Sequence, residues 1–140
     1  MLRRFFPILH VLGIIILGFG LSMLVPLLLS ELTRDGAQRA YDLAALFTVG
    51  SGLLMWMLGR HWRRDLKTRD GILLVVLTWT LLPAYAALPL LISMPDLALA
   101  DAYFEAMSGL TATGATVLSG LDDLPQSINL WRAQLHWVGG

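Results

Sequence analysis

The 140-residue chain contains no cysteine, so disulfide bridges, thiolate metal sites and thiol catalysis are excluded from its chemistry. Charge is scarce as well: 14% of the residues are charged, against about a quarter in an ordinary soluble domain, while 56% are apolar. Ten basic residues balance ten acidic ones. The chain therefore has no global basic field to hold nucleic acid and no acidic tail to invite disorder. Histidine is rare, and the three present, His10, His61 and His136, lack a metal-ligand spacing. Ser51-Gly52 and Ser108-Gly109 have no histidine placed to act as a base, so no catalytic triad can be assembled. These absences argue against an enzyme, a free soluble domain and any bound cofactor.

What the chain does have is long apolar runs. Between Arg4 and Glu31 lie 26 residues without a formal charge, interrupted by Pro7, His10 and Pro26. Leu43 to Gly59 adds 17 more, with Tyr41, Trp56 and Trp62 near its ends, where aromatic belts are expected. Gly71 to Pro95 is a third run of 25, containing Pro83 and Pro89, which membrane helices tolerate. Each crossing needs about 20 apolar residues, so three spans are predicted, and a further run begins near Ile128. Arg3-Arg4 before an apolar stretch also fits the opening of a secretory signal, but the run is long for one and has no persuasive cleavage site. Gly13, Gly18 and Gly20 in the first span, and Gly50 and Gly52 in the second, are expected to permit close helix packing.

Orientation follows from the loop charges. Arg3 and Arg4 precede the first span, Arg34 and Arg39 follow it, and Arg60, Arg63, Arg64, Lys67 and Arg69 crowd the next loop. That bias places the N-terminus and the loop around residues 60–70 in the cytoplasm; contact of this loop with anionic lipid is a lesser reading. From Gly71 through Trp131 there is no lysine or arginine, whereas Asp96, Asp101, Glu105, Asp122 and Asp123 all fall there. The acidic outer segment has two readings: a solvated loop that obeys the topology rule, or a mouth that concentrates cations.

Within that segment AYFEAMSGL reads as a short helix, with Asp101 as N-cap, Glu105 in the first turn and Gly109 at its end. Such a helix enters a membrane but cannot cross it. Thr111-Ala112-Thr113-Gly114-Ala115-Thr116 follows, then a polar return through Ser119, Gly120, Asp122 and Asp123. Taken alone, the hexapeptide fits a plain extracellular turn. In context, half-helix, Thr/Gly strand and return compose a re-entrant pore loop, because a helix C-terminus carries partial negative charge and an extended strand offers backbone carbonyls to a cation. Glu105 has two readings, an outer-vestibule cation attractor and a partner for the helix dipole.

The stretch DAYFEAMSGLTATGATVLSGLDDLP, with LHWVGG after it and KTRDG and ALP before it, resembles the Trk/Ktr/HKT superfamily of potassium transporters, most closely the bacterial Trk-type membrane subunits. The similarity covers essentially the whole chain. It implies an all-α integral membrane protein: two leading transmembrane helices and a basic loop over 1–70, then over 71–140 the first M1-P-loop, with the start of M2, of a potassium-channel-like pore built from four repeats. It further implies that Thr111, Ala112, Thr113, Gly114 and Ala115 are the carbonyl donors, with potassium at Ala112 and Thr113. Gly114 matches the family's hallmark glycine, Thr116 supports the strand, and Asp101 and Glu105 lie around the vestibule. Ala112 departs from the threonine often found there, which leaves a backbone ligand intact but removes a hydroxyl. Expected partners are the lipid bilayer, a cytoplasmic nucleotide-binding regulatory subunit and a second copy of the full-length chain; the expected location is the bacterial inner membrane. Since M2 is only begun at Gly140, the chain reads as the N-terminal part of a longer protein. The rival reading is a small membrane scaffold or accessory subunit in which residues 111–116 are only a loop.

Overall fold

The computed structural model describes residues 5–61 and 66–140. Arg3, Arg4, Trp62, Arg63 and Arg64, which entered the topology reading, lie outside the described residues. Among the described residues six helices follow one another: α1 (Phe6–Ser22), α2 (Leu24–Thr33), α3 (Gln38–Gly59), α4 (Thr68–Ser93), α5 (Leu99–Leu110) and α6 (Gln126–Gly139), with a short 3-10 turn at Leu121–Asp123. Three stretches of the described residues are long and apolar enough to cross a membrane: Phe6–Thr33, Gln38–Gly59 and Thr68–Ser93. The first is broken at Met23 because Pro26 has no N–H to offer the Ser22 carbonyl and its ring crowds that carbonyl. Pro83 and Pro89 sit inside α4, which continues through both. At the start of α4, Asp70 reaches back to accept the Lys67 N–H at 3.1 Å, a local cap that sets where the helix begins.

The chain divides into two compact units, Met1–Ser22 with Leu46–Leu82, and Met23–Ala45 with Pro83–Gly140. In the first, α1 and the C-terminal part of α3 meet at glycines. A Cβ on Gly13 would lie 2.6 Å from the Trp56 nitrogen, one on Gly52 2.9 Å from the Leu17 nitrogen, and one on Gly59 2.5 Å from the Phe6 carbonyl oxygen. Gly20 faces Val49 in the same way, whereas Gly18 and Gly50 meet nothing. Close packing thus uses three of the five glycines expected from sequence, and adds Gly59. His10 stacks on the Trp56 ring, and Arg60 lies over that ring 5.8 Å from its centre.

The second unit is organised around α6. Trp131 is fully buried, donates from Nε1 to the Ala86 carbonyl at 3.0 Å, and presents an edge-on contact to Tyr41. Tyr41 Oη in turn donates to the Ser127 carbonyl at 2.8 Å. The N-terminus of α6 follows Pro125, which has no side chain to cap it; the carboxylate of Asp35, in the α2–α3 loop, does so instead. Asp35 Oδ2 accepts the Ser127 N–H at 2.8 Å, while Oδ1 accepts Ser30 Oγ at 2.5 Å and the Ala37 N–H at 3.1 Å. Burial pushes this carboxyl upward, but the hydrogen bonds from Ser30, Ser127 and Ala37 outweigh it and hold the group at about 2. At the other end of α6, a Cβ on Gly139 would fall 2.0 Å from the Leu110 carbonyl oxygen, and one on Gly109 would fall 2.8 Å from the Leu135 Cβ. Gly109 therefore lies inside α5, where it admits α6, and does not end the helix as its position in the sequence implies.

Two outcomes follow for the purified full-length protein in detergent. Asp35 has a depressed folded-state value, so its stabilisation is complete above its unfolded value near 3.9 and is lost as pH falls toward about 2. Melting temperature against pH should show that acid-side loss in the parent protein and a smaller one in Asp35→Asn. Gly139→Ala should lower stability by about 1–3 kcal/mol, the usual range for overpacking, because two backbones must separate to admit one methyl group.

Candidate ion-filter loop

Helix α5 positions the loop. It starts after Ala98, earlier than expected, so Asp101 lies in its first turn as a dipole partner and is not the N-cap. Glu105 falls in the second turn. Twelve residues reach about 18 Å, short of a hydrocarbon core of about 30 Å. Ala102, Ala106, Ser108 and Gly109 of α5 are small and buried, and α6 packs on the helix with Leu135 against Gly109.

The C-terminus of α5 closes with paired bonds: the Ala112 N–H donates to the Gly109 carbonyl at 2.8 Å and the Thr113 N–H to the Ser108 carbonyl at 2.9 Å. This is a Schellman closure, whose left-handed position usually holds glycine. Here Ala112 occupies it at φ 53°. Thr111 Oγ1 adds a bond to the Met107 carbonyl at 2.8 Å and shares a 2.7 Å bond with Thr113 Oγ1. Gly114 is left-handed too, at φ 77°, with nothing within 4 Å of a Cβ placed on it. Its constraint is the dihedral itself, which a residue bearing a Cβ resists by about 1–2 kcal/mol.

Residues 111–117 are exposed, 111–112 in the closing turn and 113–117 outside any helix. The carbonyls of Thr111, Ala112, Thr113 and Gly114 accept no hydrogen bond among the described residues. Ala115, expected to belong to the same set, differs: Ser108 Oγ donates to its carbonyl at 2.6 Å. The strand beyond it is held by Glu105, only 5% exposed. Glu105 Oε1 accepts the Thr116 hydroxyl, the Val117 N–H at 2.7 Å and the Leu118 N–H at 3.3 Å. Its Oε2 pairs with Arg132 Nε at 3.2 Å, and Arg132 also donates to Thr116 Oγ1 at 3.3 Å. Glu105 is thus a buried bracket between α5, the strand and α6, and not an open charge in a vestibule. Asp96, Asp122 and Asp123 are exposed.

The structure brings Thr116 and Glu105 together and leaves Asp101 apart, at the opposite end of α5. Arg132, Ser108, Gly139 and Asp35 join the site and its supports without having stood out in the sequence. Arg132 carried a signal: it is the single lysine or arginine after Arg69, following a stretch whose charges are all acidic. The others had none, since their roles depend on which backbone groups lie opposite.

Removing Glu105 strands Arg132, which is 16% exposed and so keeps some water, and also leaves two backbone N–H groups without an acceptor, a combined cost of about 2–3 kcal/mol. Glu105→Ala should therefore unfold or destabilise the full-length protein far more than Glu105→Gln, which keeps an acceptor for the Val117 and Leu118 N–H groups. Thermal unfolding of the two variants, with Arg132→Gln added to each, checks this: the second substitution should relieve part of the Glu105→Ala loss.

A family model described as a cation transport protein, TrkH, matches residues 38–140. The chain is 46% identical over 134 residues to the Trk system potassium uptake protein TrkH of Halomonas elongata, covering 95% of this chain and 28% of that protein. It is 42% identical over 138 residues to the Trk system potassium uptake protein TrkH of Escherichia coli K12, covering 98% of this chain and 29% of that protein. The crystal structure of the potassium transporter TrkH from Vibrio parahaemolyticus superposes with a TM-score of 0.89 at 40% identity, over 96% of this chain and 29% of that one. The chain thus spans less than a third of the length of these relatives. With an all-helical structure, three membrane-length helices and this match, the chain belongs to the TrkH family of cation transport proteins.

Proposed function

We propose that this chain forms the N-terminal part of a Trk-type potassium uptake transporter, with residues 1–70 as two leading helices and a cytoplasmic basic loop, and 71–140 as the first pore repeat. In this reading α4 is M1, α5 the pore helix and α6 the beginning of M2. The N-terminus faces the cytoplasm of a bacterial cell, and residues 96–125 face outward. One strand of the selectivity filter is supplied by Thr111, Ala112, Thr113 and Gly114, with potassium at the carbonyls of Ala112 and Thr113. Ala115 and Thr116 act as supports, not ligands.

The observation that carries the reading is the set of four successive backbone carbonyls without a hydrogen-bond donor among the described residues, directly after a helix C-terminus. Unpaired carbonyls at membrane depth are tolerated where they line a water- or ion-filled path. There they replace the ion's lost hydration, and the negative end of the helix dipole favours a cation. One strand is a fraction of a ring, so the site is completed by equivalent loops elsewhere in the full protein. Inward movement of potassium is driven by the membrane potential, worth about 2.3 kcal/mol per charge per 100 mV. A cytoplasmic nucleotide-binding subunit and a second copy of the full-length chain are the protein partners this assignment carries.

Growth of a potassium-uptake-deficient bacterium on low potassium tests it. The full-length gene product should restore growth, and Gly114→Ser should weaken rescue or admit sodium, since the serine must hold φ near 77°. An expressed, membrane-inserted full chain that never rescues, with Gly114→Ser equally inert, would overturn transport in favour of a membrane scaffold.

A further inference from the structure

The leading helices precede the pore repeat in sequence, and transport through a carbonyl filter gives them no task. One of their connecting residues nevertheless reaches the filter's support. Asp35 and Ser127 are 92 positions apart and are joined by a 2.8 Å hydrogen bond at the first turn of α6. Of the N–H groups in that turn, those of Ile128 and Asn129 return to the Pro125 carbonyl; the Ser127 N–H has Asp35. Tyr41, at the start of α3, takes the Ser127 carbonyl at 2.8 Å. The α2–α3 region therefore grips both backbone groups of a single residue, one by a charged acceptor and one by a phenol donor. Gripping both fixes the position of α6 along its axis as well as its tilt.

Five residues further along the same helix is Arg132, about 7–8 Å along the axis. Its guanidinium meets Glu105 and Thr116, the groups that hold the strand immediately after the carbonyl set. Between the two points lies Trp131, fully buried, so the helix has no soft side chain there to absorb a shift. Asn129 Nδ2, on the intervening turn, also donates to the Leu121 carbonyl of the return loop at 2.7 Å. A displacement of α6 at Ser127 is accordingly passed to both the strand and its return.

We propose that Asp35 is a positioning residue for ion discrimination: by capping α6 from the α2–α3 loop, it holds Arg132 in the place that keeps the Thr116–Leu118 strand, and hence the Thr111–Gly114 carbonyls, at the spacing potassium requires. The leading helices are by this inference a clamp on the pore repeat. The inference rests on the filter reading above.

The test is uptake of potassium by the full-length protein in proteoliposomes, with sodium as competitor, normalised to folded protein. The variants are Asp35→Asn, Asp35→Ala, Tyr41→Phe and, as control, Gly114→Ser. Loss of a cap at a helix start corresponds to roughly a five- to tenfold change in an equilibrium. That factor is the ceiling on what the cap can pass to the ion site, so potassium preference over sodium should fall in Asp35→Ala by up to about that factor, with a rise in KM for potassium and little change in maximal rate. Asp35→Asn, which keeps an acceptor for the Ser127 N–H, should fall between parent and Asp35→Ala; Tyr41→Phe should move the same ratio in the same direction. If the Asp35 variants lower only the amount of folded protein, with preference and KM per folded molecule unchanged while Gly114→Ser alters preference, the inference is overturned and the filter reading stands. If Gly114→Ser changes nothing, the filter reading fails and the inference falls with it. Should Asp35→Ala fail to fold, Asp35→Asn and Tyr41→Phe decide the matter on the same ratio.

Discussion

An irregular segment inside a membrane protein has no helix ladder and no neighbouring strand to satisfy its backbone, so something else must hold it in one place. In this chain the Glu105 carboxylate does so. It is buried on α5, and the Val117 and Leu118 N–H groups, the Thr116 hydroxyl and the Arg132 guanidinium from α6 all converge on it. An ionised carboxylate is suited to this because it accepts on both oxygens and in several directions, and hydrogen bonds to a charged acceptor are about twice as strong as neutral ones. Desolvating it is tolerable only with the Arg132 charge beside it. The strand's upper half is thereby committed to internal bonds, and the Thr111–Gly114 carbonyls are left without them.

The same division of labour appears at the helix end that launches the strand. Ser108 and Gly109 lend their carbonyls to the Thr113 and Ala112 N–H groups, which turns the chain out of the helix within two residues. Ser108 then uses its hydroxyl on the Ala115 carbonyl, so one residue bonds the strand on either side of Gly114. Donors of the loop are consumed by the helix end, and acceptors are released toward the outside. Two left-handed residues, Ala112 and Gly114, are the conformational cost of that arrangement.

Helix α6 transmits these constraints because it is held at three levels. Asp35 and Tyr41 secure its first turn, Trp131 its middle, and the contact of Gly139 with Leu110 its end. Glycine has two unrelated uses here. At Gly114 a positive φ excludes a side chain although space is open, whereas at Gly139 and Gly109 a neighbouring backbone or side chain occupies the space a Cβ needs. Substitution at the first strains one peptide; at the others it forces helices apart.

Much was determined by the sequence alone. The positions of the three spans follow from where charge is absent, since a bilayer core admits few charges over about 20 residues, and the half-length of α5 follows from the short apolar stretch between Pro95 and the Thr/Gly run. Family membership was legible for the same reason, because the Thr111–Thr116 pattern and its flanks are local. Helix ends were less so: Ala98 and Ala112 bound α5 without any of the usual capping residues, their conformations being set by packing and by the Schellman bonds. What only the tertiary structure decided were the pairings across long separations. Asp35 with Ser127 and Glu105 with Arg132 leave no periodic trace, since a hydrogen bond depends on two groups meeting within about 3 Å and not on their distance along the chain. For that reason the sequence left Glu105 between a cation attractor and a helix-dipole partner, while folding buried it against Thr116, Val117 and Arg132.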